Sequence, residues 1–161
     1  MHRVAQFIGY LTARVDPAEE ARARSLLPGP SWPIFAAMPI ADRRHALDVA
    51  ARLLAAGQAD PDLLAAALLH DAAKGRRLHL RHRVAGVLLQ AVAPSALVRL
   101  ASPHEGSWRY PFHLFVHHAA LSAEAALRAG CSQRTADLIR GSSPPSDALL
   151  AAALRRADEA S

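Results

Sequence analysis

The sequence has one cysteine, few aromatic residues and no long apolar run, and each scarcity excludes a class of protein. Cys131 is the only cysteine, so the chain forms no intramolecular disulfide and suits a reducing, cytoplasmic compartment. The longest candidate spans, residues 25–41 and 84–98, are interrupted by prolines. They fall short of the ~20 continuous apolar residues that cross a bilayer. No transmembrane segment is therefore expected.

The composition favours helices. Alanine, leucine and arginine dominate the 161 residues, whereas only 5% are aromatic and few stretches alternate with period two. A chain of this length forms one domain that buries about two-thirds of its unfolded surface. We predict an all-α, single-domain helical bundle over residues 1–161. An amphipathic stripe near the N-terminus should cover its core, formed by Val4, Phe7, Ile8, Leu11 and Val15.

Two helices are predicted around a short turn. Asp42 is expected to cap a helix over residues 42–56, and Asp60-Pro61 to open a second helix over residues 60–74. The second helix carries an alanine and leucine run. Because only residues 57–59 join the two, the helices should lie antiparallel.

Two histidines on this hairpin point to a metal site. His45 and His70 lie about equally far from the turn, roughly 15 Å along axes that are ~8–10 Å apart. Their imidazoles can therefore converge on one ion. Asp71 follows His70 directly, and imidazole nitrogens and carboxylate oxygens are ligands of Mn, Fe, Co and Zn ions. Burying two such polar side chains in a helix without a partner costs free energy, and a bound metal ion would offset that cost.

Asp158 is the best candidate for a further carboxylate. It extends the line of Leu150 and Leu154 along the inner stripe of the last predicted helix. The alternative is a solvated residue near a fraying helix end, with charged residues close by. The residues alone leave both interpretations open.

The order His45, His70-Asp71, Asp158 resembles the HD superfamily of metal-dependent phosphohydrolases. The resemblance is carried by residues 44–50 (RHALDVA), residues 67–75 (ALLHDAAKG) and the pair Ala157-Asp158. It covers residues 42–160, and residues 1–41 would supply N-terminal helices and a proline-rich connector. The resemblance implies divalent ions that polarise a phosphate and activate a water. The implied ligands are His45, His70, Asp71 and Asp158.

Cationic residues follow the His-Asp pair. Lys74 matches a lysine that is frequent there in the superfamily, so the resemblance implies contact with a substrate phosphate. The alternative is a cation favoured by the dipole at a helix C-terminus. The basic stretch 76–83, which includes Arg77, adds positive potential that suits a small phosphorylated substrate. A nucleic-acid surface is the less favoured alternative for this stretch.

A helix over residues 111–130 carries three more histidines. The segment that begins at His118 reads HAALSAE and is similar to the additional-histidine motif of two-metal members, with Ser122 where glycine is common. His118 is therefore the favoured site residue, as a proton carrier or weak ligand. His113 and His117 share another face and are interpreted as polar histidines at the edge of a cleft.

The chain departs from the two-metal members at residues 141–145, which read GSSPP where a His-His pair is usual. Serine and glycine are poor ligands, so we expect one ion per chain, chosen from Mn, Fe, Co, Ni, Zn and Mg. The Gly-Tyr-Pro element of cyclic-dinucleotide phosphodiesterases is also absent. So is the acidic pair of guanosine-tetraphosphate hydrolases, which disfavours both substrate classes.

The resulting prediction is a phosphohydrolase that acts on a small phosphate ester, with a nucleotide as the favoured substrate. Asp71, Lys74 and His118 would serve catalysis, and Lys74 and Arg77 would bind substrate. The alternative is a metal-binding module with a sensory or regulatory role and no turnover. A loop over residues 102–110 also offers stacking and charged groups for a substrate, unless it is a plain surface loop.

Overall fold

A computed structural model describes residues 14–75 and 77–161 of the chain. Within these ranges the fold is all-helical, with nine α-helices and no strand, which confirms the predicted class. Val4, Phe7, Ile8 and Leu11 of the predicted N-terminal stripe lie outside the described residues, whereas Val15 packs against the core. The helices are α1 (Pro17–Leu26), α2 (Trp32–Ala36), α3 (Ile40–Ala55), α4 (Pro61–Leu69), α5 (Leu80–Val92), α6 (Pro94–Leu100), α7 (Tyr110–Arg128), α8 (Gln133–Arg140) and α9 (Ala148–Glu159).

Side-chain caps explain where several helices begin. The Asp60 carboxylate accepts from the backbone N–H groups of Asp62 and Leu63 at 3.0 and 3.1 Å, and Pro61 occupies the first turn of α4. This confirms the predicted start of the second helix. Ser132 caps α8 in the same way by accepting from the Thr135 N–H at 2.9 Å. Side chains that accept from the first free backbone N–H groups therefore set these starts.

Helix α4 lies at the centre of the bundle. All residues from Leu63 to Leu69 are buried, which is typical of a helix surrounded by other helices. Helices α3, α8 and α9 pack around α4, and α7 packs against α8. Cys131 is buried in the same core. The central position of α4 carries its C-terminal His70 into the interior.

Two predicted helix boundaries were wrong. Asp42 does not cap the first helix, because α3 already begins at Ile40 after Pro39. Asp42 is instead buried and accepts from the Arg83 guanidinium at 2.7 Å, which links α3 to α5. The α-helical part of the second helix ends at Leu69, not at residue 74.

A tight turn follows α4. Residues Ala72–Lys74 form a 3-10 helix, and Gly75 ends it with a φ of 55°, a value that favours glycine. Ala72 and Ala73 are good helix formers, so local propensity would have continued the helix. The turn gives Asp71 a different direction from the one it would have on a continuous helix.

Gly86 allows α5 to approach α7 closely. A side-chain carbon at Gly86 would lie 2.8 Å from the Phe115 ring, which is far inside contact distance.

None of the described helices is long and apolar enough to cross a membrane, in agreement with the sequence-based prediction.

Candidate metal centre

The antiparallel pair α3 and α4 brings His45 and His70 together. The centroids of the two imidazole rings are 5.3 Å apart. His45 lies in the second turn of α3, and His70 directly follows the last residue of α4. The short turn between the helices is therefore sufficient to place both rings at one level, as the spacing predicted.

Helix α9 adds a carboxylate to this pair. Asp158 Oδ1 lies 2.8 Å from His45 Nε2 and 3.4 Å from His70 Nε2. One donor atom from each of the three residues lies within 4.8 Å of the other two, an arrangement that could hold a metal ion. Asp158 thus faces the two histidines although its side chain is 46% exposed. Its position favours the ligand interpretation over the solvated tail.

His70 is oriented as a ligand would be. Its Nδ1 donates to the Ala67 backbone oxygen at 2.9 Å, which leaves Nε2 directed at the cluster. Among the described residues, Nε2 has no hydrogen-bond partner although it is buried. Metal-binding histidines characteristically donate through one ring nitrogen and coordinate through the other. A buried imidazole nitrogen that makes no hydrogen bond and faces the carboxylates of Asp71 and Asp158 fits a divalent ion.

Asp71 lies beside this cluster and is paired with Lys74. The Asp71 side chain is 3% exposed, and its Oδ2 is 2.6 Å from Lys74 Nζ and 3.6 Å from His70 Nε2. Its Oδ1 is buried and lacks a hydrogen-bond partner in the part of the chain that the structure describes. Asp71 is therefore adjacent to the His45, His70 and Asp158 group but outside it. Lys74 contacts a buried carboxylate, which distinguishes it from an exposed helix-capping cation.

His118 of α7 reaches the same site from the opposite side of Asp71. Its Nδ1 donates to the Phe115 backbone oxygen at 2.9 Å, and its Nε2 is 3.8 Å from Asp71 Oδ1. His113 and His117 instead pack against one another with tilted rings, whose centroids are 4.5 Å apart. His118 is thus the histidine of α7 that joins the Asp71 environment.

Ser122 is a positioning residue that the sequence prediction did not assign. Its buried hydroxyl accepts from the Ala73 backbone N–H at 3.0 Å and so holds the 3-10 turn after Asp71 against α7. Ser122 lies one helical turn after His118, so both side chains share a face. The spacing of Ser122 from His118 could have indicated that Ser122 faces the site. The turn that Ser122 holds, however, was not predicted from the sequence.

Arg77, the other predicted phosphate contact, forms its hydrogen bonds with a residue outside this cluster. Arg77 is three residues beyond Lys74, and its Nη1 donates to the Glu105 backbone oxygen at 3.0 Å. Its side chain is 59% exposed. The serine-containing segment after α8 begins at Gly141, which has a φ of 73° and ends the helix. Neither Ser142 nor Ser143 offers an imidazole to the cluster.

The charges in the cluster fix its protonation. Burial lowers the pKa of His70, but the carboxylates of Asp71 and Asp158 outweigh this effect and raise that pKa to about 9. Burial raises the pKa of both carboxyls, yet the neighbouring histidines, and Lys74 beside Asp71, hold these pKa values well below their usual range. Burial and the charge of Lys74 lower the pKa of His118. Near pH 7 the carboxylates are ionised and His118 is neutral.

Comparison of the chain with protein-family models, curated proteins and solved structures finds no match. His45, His70 and Asp158 converge from three segments of the bundle, and Asp71 lies beside them. His70 Nε2 and Asp71 Oδ1 are buried without a hydrogen bond among the described residues. The group of His45, His70 and Asp158 could hold a divalent cation, and the Lys74 ammonium pairs with the neighbouring Asp71.

Proposed function

We propose that the protein is a metal-dependent phosphohydrolase of the HD type, acting on a small phosphate ester and preferably a nucleotide. The observation that carries this proposal is the convergence of His45, His70 and Asp158 around the unbonded Nε2 of His70. Asp71 adds a second unbonded donor atom in the same interior. We assign His45, His70, Asp71 and Asp158 as ligands of Mn, Fe, Co, Ni, Zn or Mg.

The carboxylates have the charge that a metal ligand requires, whereas His70 must release a proton when an ion binds. Both carboxylates are held ionised, and the His70 ring offers the nitrogen that is not used for its hydrogen bond to Ala67. A divalent ion bound there would supply a Lewis acid that polarises a phosphate and lowers the pKa of a water. The chain's own residues must then bind and orient the ester.

Lys74 and His118 would perform the remaining steps. Lys74 Nζ, held by Asp71 at 2.6 Å, provides a positive charge for a phosphate oxygen. His118 is neutral near pH 7 because burial lowers its pKa, so its Nε2 can accept a proton and later return it. Its fixed Nδ1 contact with Phe115 keeps that Nε2 directed at Asp71.

We further propose one ion per chain. A second ion beside Asp71 would have His118 as its nitrogen ligand. Residues 141–143, where two-metal members carry further histidines, are only glycine and serine in this chain. Serine hydroxyls compete poorly with water for such ions. The same loss of donors motivates the second candidate function, a metal-binding sensory or regulatory module that keeps the site without turnover.

Activity separates these two candidates. The purified protein should be stripped with EDTA, reloaded with Mn, Co, Ni or Mg, and tested on nucleotides and p-nitrophenyl phosphates. Metal-dependent release of phosphate, lost in His70→Ala, is expected for the enzyme. Inactivity with every metal, in protein that retains bound ion, would favour the regulatory module.

We also propose that the protein is cytoplasmic, because its single cysteine, Cys131, suits a reducing compartment.

A further inference from the structure

A second cluster of cationic and aromatic side chains lines a cavity outside the metal centre. The cavity has a volume of about 220 Å³ and opens to solvent. Cavities that enclose a whole drug-sized ligand measure about 300–1,000 Å³, so this one fits one end of a ligand. Its walls include Arg77, Arg81, His82, Glu105, Trp108 and Tyr110.

Arg77 joins the two walls of this cavity. Its guanidinium lies over the Tyr110 ring, 5.6 Å from the centroid, and its Nη1 donates to the Glu105 backbone oxygen at 3.0 Å. Nη1 also lies 3.4 Å from a Glu105 carboxylate oxygen. These contacts orient the guanidinium plane and engage Nη1. Among the described residues, its Nη2 has no acceptor, so that nitrogen can donate to a ligand oxygen.

Trp108 offers an uncovered ring at the same cavity. It is 72% exposed, whereas Trp32, the other tryptophan, packs against Phe35 and lies beneath Arg24. Within residues 14–75 and 77–161, no ring or guanidinium stacks on Trp108. An exposed indole beside cationic groups is a platform on which a nucleobase can stack.

The cavity lies within reach of the metal centre. Arg77 lies three positions after Lys74, so the two are at most ~11 Å apart along an extended chain. Tyr110 and His118 lie eight residues apart on α7, which corresponds to ~12 Å along the helix axis. Both walls of the cavity are therefore joined to the metal centre by short stretches of chain, and a nucleotide carries its base and its phosphate at opposite ends of a sugar.

We propose that this cavity is the base-binding subsite for a nucleoside monophosphate whose phosphate lies at the metal centre. The base stacks on Trp108, and Arg77 contacts the sugar or phosphate on the path to Lys74. The proposal rests on the phosphohydrolase function and adds a preference for esters with an aromatic base over sugar phosphates.

Binding without turnover tests the subsite. In EDTA, affinities for adenosine 5′-monophosphate, adenosine and ribose 5-phosphate are measured by calorimetry on the full chain and three variants. Trp108→Ala should weaken binding of the two adenine-containing probes by about tenfold and leave ribose 5-phosphate unchanged. Trp108→Phe should retain most of the affinity because it keeps a ring. Leu149→Ala, which alters a side chain that is 84% exposed on α9, is the matched control and should behave as wild type.

Unchanged affinity of Trp108→Ala for the nucleotide, or equal loss for ribose 5-phosphate, would overturn the subsite. Hydrolysis of p-nitrophenyl phosphate by the metal-loaded protein is measured in parallel. Hydrolysis without adenine-dependent binding would refute the subsite alone. Adenine-dependent binding through Trp108 without hydrolysis would support the subsite and count against the enzymatic function.

Discussion

His45 Nε2 and Asp158 Oδ1 are 2.8 Å apart although 113 positions separate the two residues in the chain. This contact brings α9 against the start of α3, and His70 lies 3.4 Å from the same carboxylate oxygen. An oxygen that two imidazoles share is well placed to be shared with a cation instead. The predictions below concern how that cluster handles protons, substrate and metal.

Metal affinity should rise with pH up to about 9. In the metal-free protein His70 has a raised pKa of about 9, so below that pH a bound ion must displace a proton. Asp71 and Asp158 stay ionised in this range because their pKa values are lowered, and they add no further dependence. Mn affinity should increase by up to about tenfold between about pH 7 and pH 8. Equal affinities at the two pH values would contradict the raised pKa.

Ser122→Ala should destabilise the turn that carries Asp71 and Lys74. Without the hydroxyl, the Ala73 N–H loses its acceptor, a loss that costs about 1–3 kcal/mol for a buried group. The thermal midpoint should fall by roughly 2–4 °C for each kcal/mol. Ser25→Ala, which removes an exposed hydroxyl bonded to the Arg22 oxygen, is the control and should have little effect. Equal stability of the two variants would count against the positioning role of Ser122.

Lys74→Gln should bind metal as wild type does and bind phosphate more weakly. A hydrogen bond to a charged group contributes about 1.5–3 kcal/mol, so the affinity for inorganic phosphate in the metal-loaded protein should drop by at least about tenfold. Arg52→Gln removes the same charge from an exposed site on α3 and should not affect phosphate.

Lys74 is the only lysine in the chain, which permits a direct check. Reductive ¹³C-methylation labels its Nζ and the N-terminal amine, and phosphate should shift the lysine resonance in the NMR spectrum. A lysine signal that does not respond to phosphate would show that Lys74 does not bind phosphate and only pairs with Asp71.

The sequence predicted the hairpin geometry because that geometry follows from local rules. Asp60, Pro61 and the short turn at residues 57–59 fix where α4 begins and how it runs relative to α3. Counting residues from the turn was then enough to pair His45 with His70. The alignment of Asp158 with Leu150 and Leu154 made it a candidate, and the resemblance stated above favoured it as a ligand. In the structure its Oδ1 faces both histidines.

What the sequence did not predict depends on distant contacts. The burial of Asp42 depends on Arg83, which is 41 residues away, so the residue was mistaken for a cap. The end of α4 at Leu69 is followed by a turn whose Ala73 N–H donates to a hydroxyl on α7. Local propensity favours a continued helix there, and the tertiary hydrogen bond accompanies the turn.

The single-ion stoichiometry can be tested by restoring donors. After dialysis, the wild-type protein should retain one ion per chain because Ser142 and Ser143 compete poorly with water. A Ser142→His, Ser143→His double variant is expected to retain more metal if the segment faces the site. A wild-type content near two ions would refute the single-ion prediction.

The most direct test of the account is the metal content of the dialysed protein, measured by elemental analysis in wild type, His70→Ala and Asp158→Asn. Asp158→Asn keeps the size of the side chain but removes its charge, and Glu159→Gln makes the same change at an exposed neighbour. We predict about one divalent ion per chain in wild type and Glu159→Gln, and little in the other two variants. Wild-type metal content in His70→Ala and Asp158→Asn would contradict the assignment of these residues as ligands.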